Sequence, residues 1–82
     1  AGYHRFWHGL TLFSEKRFAE AKNEFLRAVQ LKCHHWRVAW FTAESAYRSG
    51  DIALAKEAAQ AVIKAVPKFR PAGKLLEKIQ GD

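Results

Sequence analysis

Methionine is absent from this chain, cysteine occurs once, proline does not appear before Pro67, and acidic residues are outnumbered fourteen to eight by basic ones. Each shortage excludes something. With Cys33 alone there is no intramolecular disulfide and no dense Cys/His framework for structural zinc. A lone cysteine fits a reducing compartment. No basic start, apolar stretch and small-residue cleavage site reads as a signal peptide, so the two observations together favour a cytoplasmic setting. The longest apolar runs span a few residues, far short of the roughly 20 that a membrane helix needs. The five glycines are scattered, which leaves no Gly-rich phosphate loop. The net charge of +6 favours an acidic partner, or weak attraction to nucleic acid or an anionic membrane, and says nothing about fold. The chain starts at Ala1-Gly2 without an initiator methionine, which reads as a processing boundary or as a module of a longer protein.

What is present is a helix-forming chain of 82 residues, 49% of them apolar. That length bounds the answer to one domain with a thin core, and the apolar content rules out a disordered polar segment. Apolar residues recur at three- and four-residue steps, the helix period. A first helix is expected from about Tyr3 to Ser14, with an apolar stripe of Tyr3, Phe6, Trp7, Leu10 and Phe13 and with Leu12 beside it. A second, from about Phe18 to Leu31, carries Phe18, Ala21, Phe25, Ala28 and Val29. A third, from about His35 to Ser49, carries Trp36, Ala39, Trp40, Ala43, Ala46 and Tyr47. Gly50 suits a left-handed helix stop, and Asp51 supplies an oxygen for the next N-cap. The fourth, about Asp51 to Val66, uses Ile52, Ala55, Ala59, Val62, Ile63 and Val66, and Pro67 ends it. Pro71 can open a last helix carrying Leu75, Leu76 and Ile79. Connections of two to five residues make neighbouring helices antiparallel.

Shifting the sequence by 34 residues superposes small and apolar positions: Gly9 on Ala43, Phe18 on Ile52, Ala21 on Ala55, Phe25 on Ala59, Ala28 on Val62 and Cys33 on Pro67. A helix–turn–helix period of that length marks a stacked-hairpin solenoid. In these residues, Gly9-Leu10-Thr11-Leu12, Phe18, Ala21, Phe25 and Ala28, then Trp40, Ala43, Tyr47, Gly50-Asp51, Ile52, Ala55, Val62 and Pro67, the chain resembles the tetratricopeptide repeat family. The resemblance covers about residues 3–67, and residues 70–80 resemble the family's solvating end helix. Lys16 stands where the first unit would carry a turn glycine, Cys33 where it would close on proline, and Ala46 and Ala59 where larger aromatics are common. The expectation is an all-α, right-handed α-solenoid: one repeat over about 2–34, a second over about 36–67, and a capping helix over about 70–80. Small residues at Gly9, Ala21, Ala43 and Ala55 let paired helices approach, while Phe18 and Phe25 fill the space between hairpins. The alternative is an unrelated antiparallel bundle of four or five helices.

Stacked hairpins leave a concave face lined by the first helix of each unit. That face is expected to carry Tyr3, Phe6, Leu10 and Phe13, then Arg37, Trp40, Glu44 and Tyr47, with Lys74 and Lys78 on the last helix. An aromatic stripe with a basic rim suits a peptide groove; each ring can equally serve as core, and Trp36 and Trp40 can both be structural. Some relatives of the family grip C-terminal carboxylates through Lys, Asn and Arg on this face. The matching positions here, Phe6, Leu10, Phe41, Pro71 and Leu75, offer no side-chain donor, so no such clamp is expected. Two repeats fall short of the three usually needed for a stable solenoid. Further repeats, a host domain or homodimerisation through the first helix is therefore expected to cover the ends.

Reactive chemistry finds little support. His4 and His8 share a face at metal-ligand spacing, and Cys33-His34-His35 could add ligands, yet the spacing encodes no four-ligand geometry. Cys33 beside His34 lacks an oxyanion-hole motif. Glu20 and Glu24 read as a solvated pair near Lys16 and Arg27 and not as an acid/base pair. Lys64, Lys68, Arg70, Lys74 and Lys78 face only Glu77 over their stretch, either a solvated face or an anion-binding edge. The expectation is a non-enzymatic protein–protein interaction module without metal or cofactor, binding a protein or peptide that is acidic in character. A non-catalytic domain that positions or oligomerises an enzyme, and a basic accessory domain for nucleic acid, stand as alternatives.

Overall fold

The computed structural model describes residues 2–31 and 35–81, and the regular structure among them is entirely helical. The helices are α1 (Gly2–Ser14), α2 (Phe18–Gln30), α3 (Trp36–Ser49), α4 (Ile52–Ala65) and α5 (Arg70–Gly81), within a residue or so of the sequence expectation. Cys33 and His34, and with them the expected turn between the repeats and its ligand set, lie outside the described residues.

The two hairpin turns repeat each other bond for bond. At the end of α1 the Arg17 N–H donates to the Leu12 carbonyl at 3.0 Å, and 34 residues later the Asp51 N–H donates to the Ala46 carbonyl at 2.8 Å. This six-to-one closure satisfies carbonyls that the helix leaves open and requires a left-handed residue one position earlier. Gly50 takes that conformation with φ 93°, and Lys16 takes it with φ 63°, a conformation that costs a side-chain-bearing residue about 1–2 kcal/mol. The start of the following helix differs too. Asp51 Oδ1 accepts from the Leu54 N–H at 3.3 Å, as an N-cap should. Arg17 makes no side-chain cap; its guanidinium Nε instead donates to Glu20 Oε1 at 2.9 Å. At the head of α3, His35 is the cap, its Nδ1 accepting from the Arg37 N–H at 3.1 Å.

Antiparallel α1 and α2 form one hairpin, α3 and α4 the second, with α2 packed on α3 and α4 on α5. In the first hairpin the close approach centres on Gly9. A Cβ there would sit 2.6 and 2.8 Å from Phe25 Cε1 and Cδ1, inside the van der Waals limit, so only glycine leaves room for the fully buried Phe25 ring. In the second hairpin the equivalent pair is Ala43 and Ala59, both fully buried. Two small residues face one another there instead of none against a ring. Phe41 of α3 closes the joint between hairpins, its ring 6.0, 5.6 and 5.9 Å from those of Phe6, Phe13 and Phe25. A polar tie runs alongside, with Lys22 Nζ 3.4 Å from the same Asp51 carboxylate that caps α4.

Helix α5 covers α4 with Ala72 and Leu75, and Leu76 and Ile79 pack on the same cluster. The position that is Gly9 in α1 and Ala43 in α3 becomes Glu77 in α5, and it is exposed. Helix α5 thus lacks the small close-approach residue that α1 and α3 carry at this position.

Three expectations need correction. The stripe drawn through Tyr3 and Trp7 is displaced: Leu12 is the buried residue at 5% exposure, while Tyr3 and Trp7 stand 66% and 65% exposed. Leu12 faces α2 one turn after Gly9, whereas Tyr3 and Trp7 lie toward the start of α3, which leaves them largely uncovered. Ile52, expected in the α4 stripe, stands at the head of that helix and is 43% exposed. Glu24 is not solvated with Glu20 near Lys16 and Arg27. It is buried against α1, within reach of Arg5 and His8.

Candidate functional site

A groove of about 290 Å³ lies between α3 and α5. Trp40 and Glu44, one turn apart on α3, form one wall; Arg70, Pro71, Lys74, Leu75 and Lys78 of α5 form the other. The arrangement follows from the helix periods. Trp40 rests its ring edge on Phe69, 5.1 Å away at 78°, and Phe69 in turn meets Trp36 at 4.8 Å. These contacts fix the approach to α5. Leu75 anchors α5 on the second core, which leaves Arg70, Lys74 and Lys78, at four-residue steps, along the outer rim of the same face. Glu44 is the one acid in the walls, and Arg48 Nε engages its carboxylate at 3.3 Å. The Arg48 guanidinium also lies over Phe13 and Phe18 at 5.6 and 5.2 Å, so it couples the groove to the first hairpin.

A second depression of about 220 Å³ lies where α1 meets the start of α3, lined by Tyr3, Phe6 and Trp7 with His35, Arg37 and Val38. Arg37 carries its guanidinium carbon 5.5 Å above the Trp36 ring. The ten residues expected on one continuous face are therefore divided. Trp40, Glu44, Lys74 and Lys78 come together in the groove, and Tyr3, Phe6 and Arg37 in the depression. Between them Leu10 and Phe13 pack on the first core and Tyr47 on the second, all partly buried. Arg70, Pro71, Leu75, Trp7, His35 and Val38 line these surfaces and were not among the ten. Arg70 was legible as the first member of the four-residue cation ladder, and Trp7 as the residue one turn after Tyr3.

The buried carboxylate is structural in setting. Glu24 Oε2 lies 3.0 Å from His8 Nδ1 and 3.3 Å from Arg5 Nη1. Because an ionised carboxylate only accepts, His8 Nδ1 carries the proton. The His8 hydrogen bond holds the Glu24 carboxyl below its ordinary range against the opposing effect of burial, and Arg5 adds to the lowering. His8 is thus committed to Glu24, and His4 is exposed nearby. Among the described residues no group of three His, Cys, Asp or Glu side chains is arranged to hold a metal ion, and no helix is long and apolar enough to cross a membrane.

No family model, no curated protein and no solved structure matches this chain.

Proposed function

We propose that this chain is a non-catalytic protein-interaction module of the tetratricopeptide type, holding a segment of a partner protein in the groove between α3 and α5. The observation that carries the reading is the groove itself. Its apolar floor of Trp40, Pro71 and Leu75 is rimmed by cations, on helix faces that the hairpin packing leaves uncovered. Rings with an apolar body and a charged margin supply contact area and orientation together. A free C-terminal carboxylate is not required, since the apolar floor and the line of cations can take an internal segment. Peptides selected from a random library against the wild-type chain are expected to shift the Trp40 indole resonance and the α5 amides. Selected peptides that move only α2 or outer α4 resonances would sink the proposal.

A second reading, self-association, rests on Tyr3 and Trp7, two large rings one turn apart and mostly exposed. A concentration-dependent dimer abolished by Tyr3→Ser with Trp7→Ser would support it; a monomer at millimolar concentration in sedimentation would remove it.

A further inference from the structure

The α3–α5 groove carries a charge pattern as well as a shape. Building on the interaction reading above, we propose that its occupant is an extended, acidic segment of a partner protein, with carboxylates at alternate positions facing Arg70, Lys74 and Lys78 and the uncharged residues between them set against Trp40.

The spacing argument is geometric. A helix rises about 1.5 Å per residue, so cations at four-residue steps repeat every ~6 Å along α5. In an extended strand alternate side chains project to the same side at intervals of about 6.6 Å. The two periods stay in step across three cations to about 1 Å, well within the reach of a flexible lysine. The intervening side chains project the opposite way, toward α3, where the Trp40 ring is an apolar platform. Helical peptides with acids at four-residue steps match the period but not the width. A helix with its side chains is roughly 10–12 Å across, and a groove of about 290 Å³ admits only a few side chains.

Two further observations fix the sign and the class. Helix α5 begins at Arg70 and has no acidic residue in its first turn. The positive end of the helix dipole therefore adds to Arg70 and Lys74 and is not neutralised. Such an arrangement disfavours the isolated helix and favours an anionic ligand. Glu44, paired with Arg48, leaves the opposite wall without free positive charge. A phosphodiester strand carries charge on every unit and brings some of it against Glu44; a peptide places an uncharged side chain there. Single-stranded nucleic acid is thus the poorer fit.

The test uses fluorescent peptides, acetylated and amidated so that no terminal carboxylate is present, with glutamates at alternate positions separated by leucine and serine. Controls are the same peptide with glutamine for glutamate, one of identical composition with its glutamates in a block, and oligouridylate. The alternating peptide is expected to bind at least tenfold more tightly than any control and to weaken steeply between 50 and 500 mM salt. It should also lose at least tenfold with Lys74→Gln plus Lys78→Gln; both lysines are exposed, and glutamine matches lysine in helix propensity. Equal binding of the block or glutamine peptide overturns the charge matching, but if that binding still shifts the Trp40 indole the groove reading survives. Failure of every peptide to perturb Trp40 overturns both. Tighter binding of oligouridylate overturns the peptide assignment and makes the rim a nucleic-acid edge.

Discussion

The two hairpins build the same joint from opposite materials. In the first, a ring as large as Phe25 is seated over a residue with no side chain, Gly9. In the second, two methyl groups, Ala43 and Ala59, meet at the equivalent place. The turns are reversed in quality: the first forces Lys16 into a left-handed conformation and leaves α2 without a side-chain cap, whereas the second uses Gly50 and the Asp51 carboxylate. The first hairpin thus has a large core residue and a strained turn, and the second a light core and a relaxed turn. The two hairpins share a set of facing volumes and backbone requirements, and either side of a pair can meet them.

Phe25→Ala should break the comparison most severely. It removes the ring shared by α1, α2 and α3, at a cost of about 3–5 kcal/mol. A chain of this length has a total stability of about 4–12 kcal/mol, so thermal unfolding should shift far down or lose its cooperativity. Ala59→Gly, the nearest counterpart in the second hairpin, should cost only about 1 kcal/mol of helix propensity. Next in size is Gly9→Ala. The new methyl group would sit 2.6 Å from a fully buried ring, and overpacking costs of about 1–3 kcal/mol outweigh the roughly 1 kcal/mol gained in helix propensity. Combining it with Phe25→Leu should be less damaging than the sum of the single effects in urea denaturation, because the two positions share one contact. The turns supply a pair of opposite sign: Lys16→Gly should stabilise and Gly50→Ala destabilise, each by about 1 kcal/mol. Responses of the same sign at the two turns would show that they are not equivalent.

The smallest effect concerns pH. The folded Glu24 carboxyl lies below its ordinary range. Its contribution is therefore complete above the unfolded value of about 4.3 and is lost as pH falls through the lower folded value. Solvent screening of the half-exposed Arg5 and His8 limits it to about 1 kcal/mol or less. The gap in urea midpoint between wild type and Glu24→Gln should be present at pH 6 and should shrink steadily toward pH 3. A gap that widened on acidification would contradict the assignment.

Much of the fold was legible because the repeat is carried by small residues and helix punctuation. Gly9, Ala43, Gly50 and Asp51 each act where the 34-residue offset puts them. What was not legible depended on partners from another helix. Reading Glu24 by its own helix offers only Glu20, Lys16 and Arg27, and its real neighbours, Arg5 and His8, arrive from α1. The period of α1 is compatible with two adjacent stripes, and only the position of α2 chooses Leu12 over Tyr3 and Trp7. The concave set divided for the same kind of reason. Periodicity says which way Phe13 and Leu10 face, but not that Phe41 of the next hairpin reaches across to the Phe13 ring.

That reach of Phe41 has a consequence for how the molecule opens. Its ring belongs to the second hairpin by sequence and to the first by contact, so neither hairpin can separate without exposing the aromatic cluster of both. Amide exchange in α1, α2 and α3 should therefore report one shared opening event. Helix α5, held by Ala72 and Leu75 beside the Trp36–Phe69 contact, should open on its own and more often. The wall of the groove that carries the cations would then be the part of the protein best able to adjust to a guest.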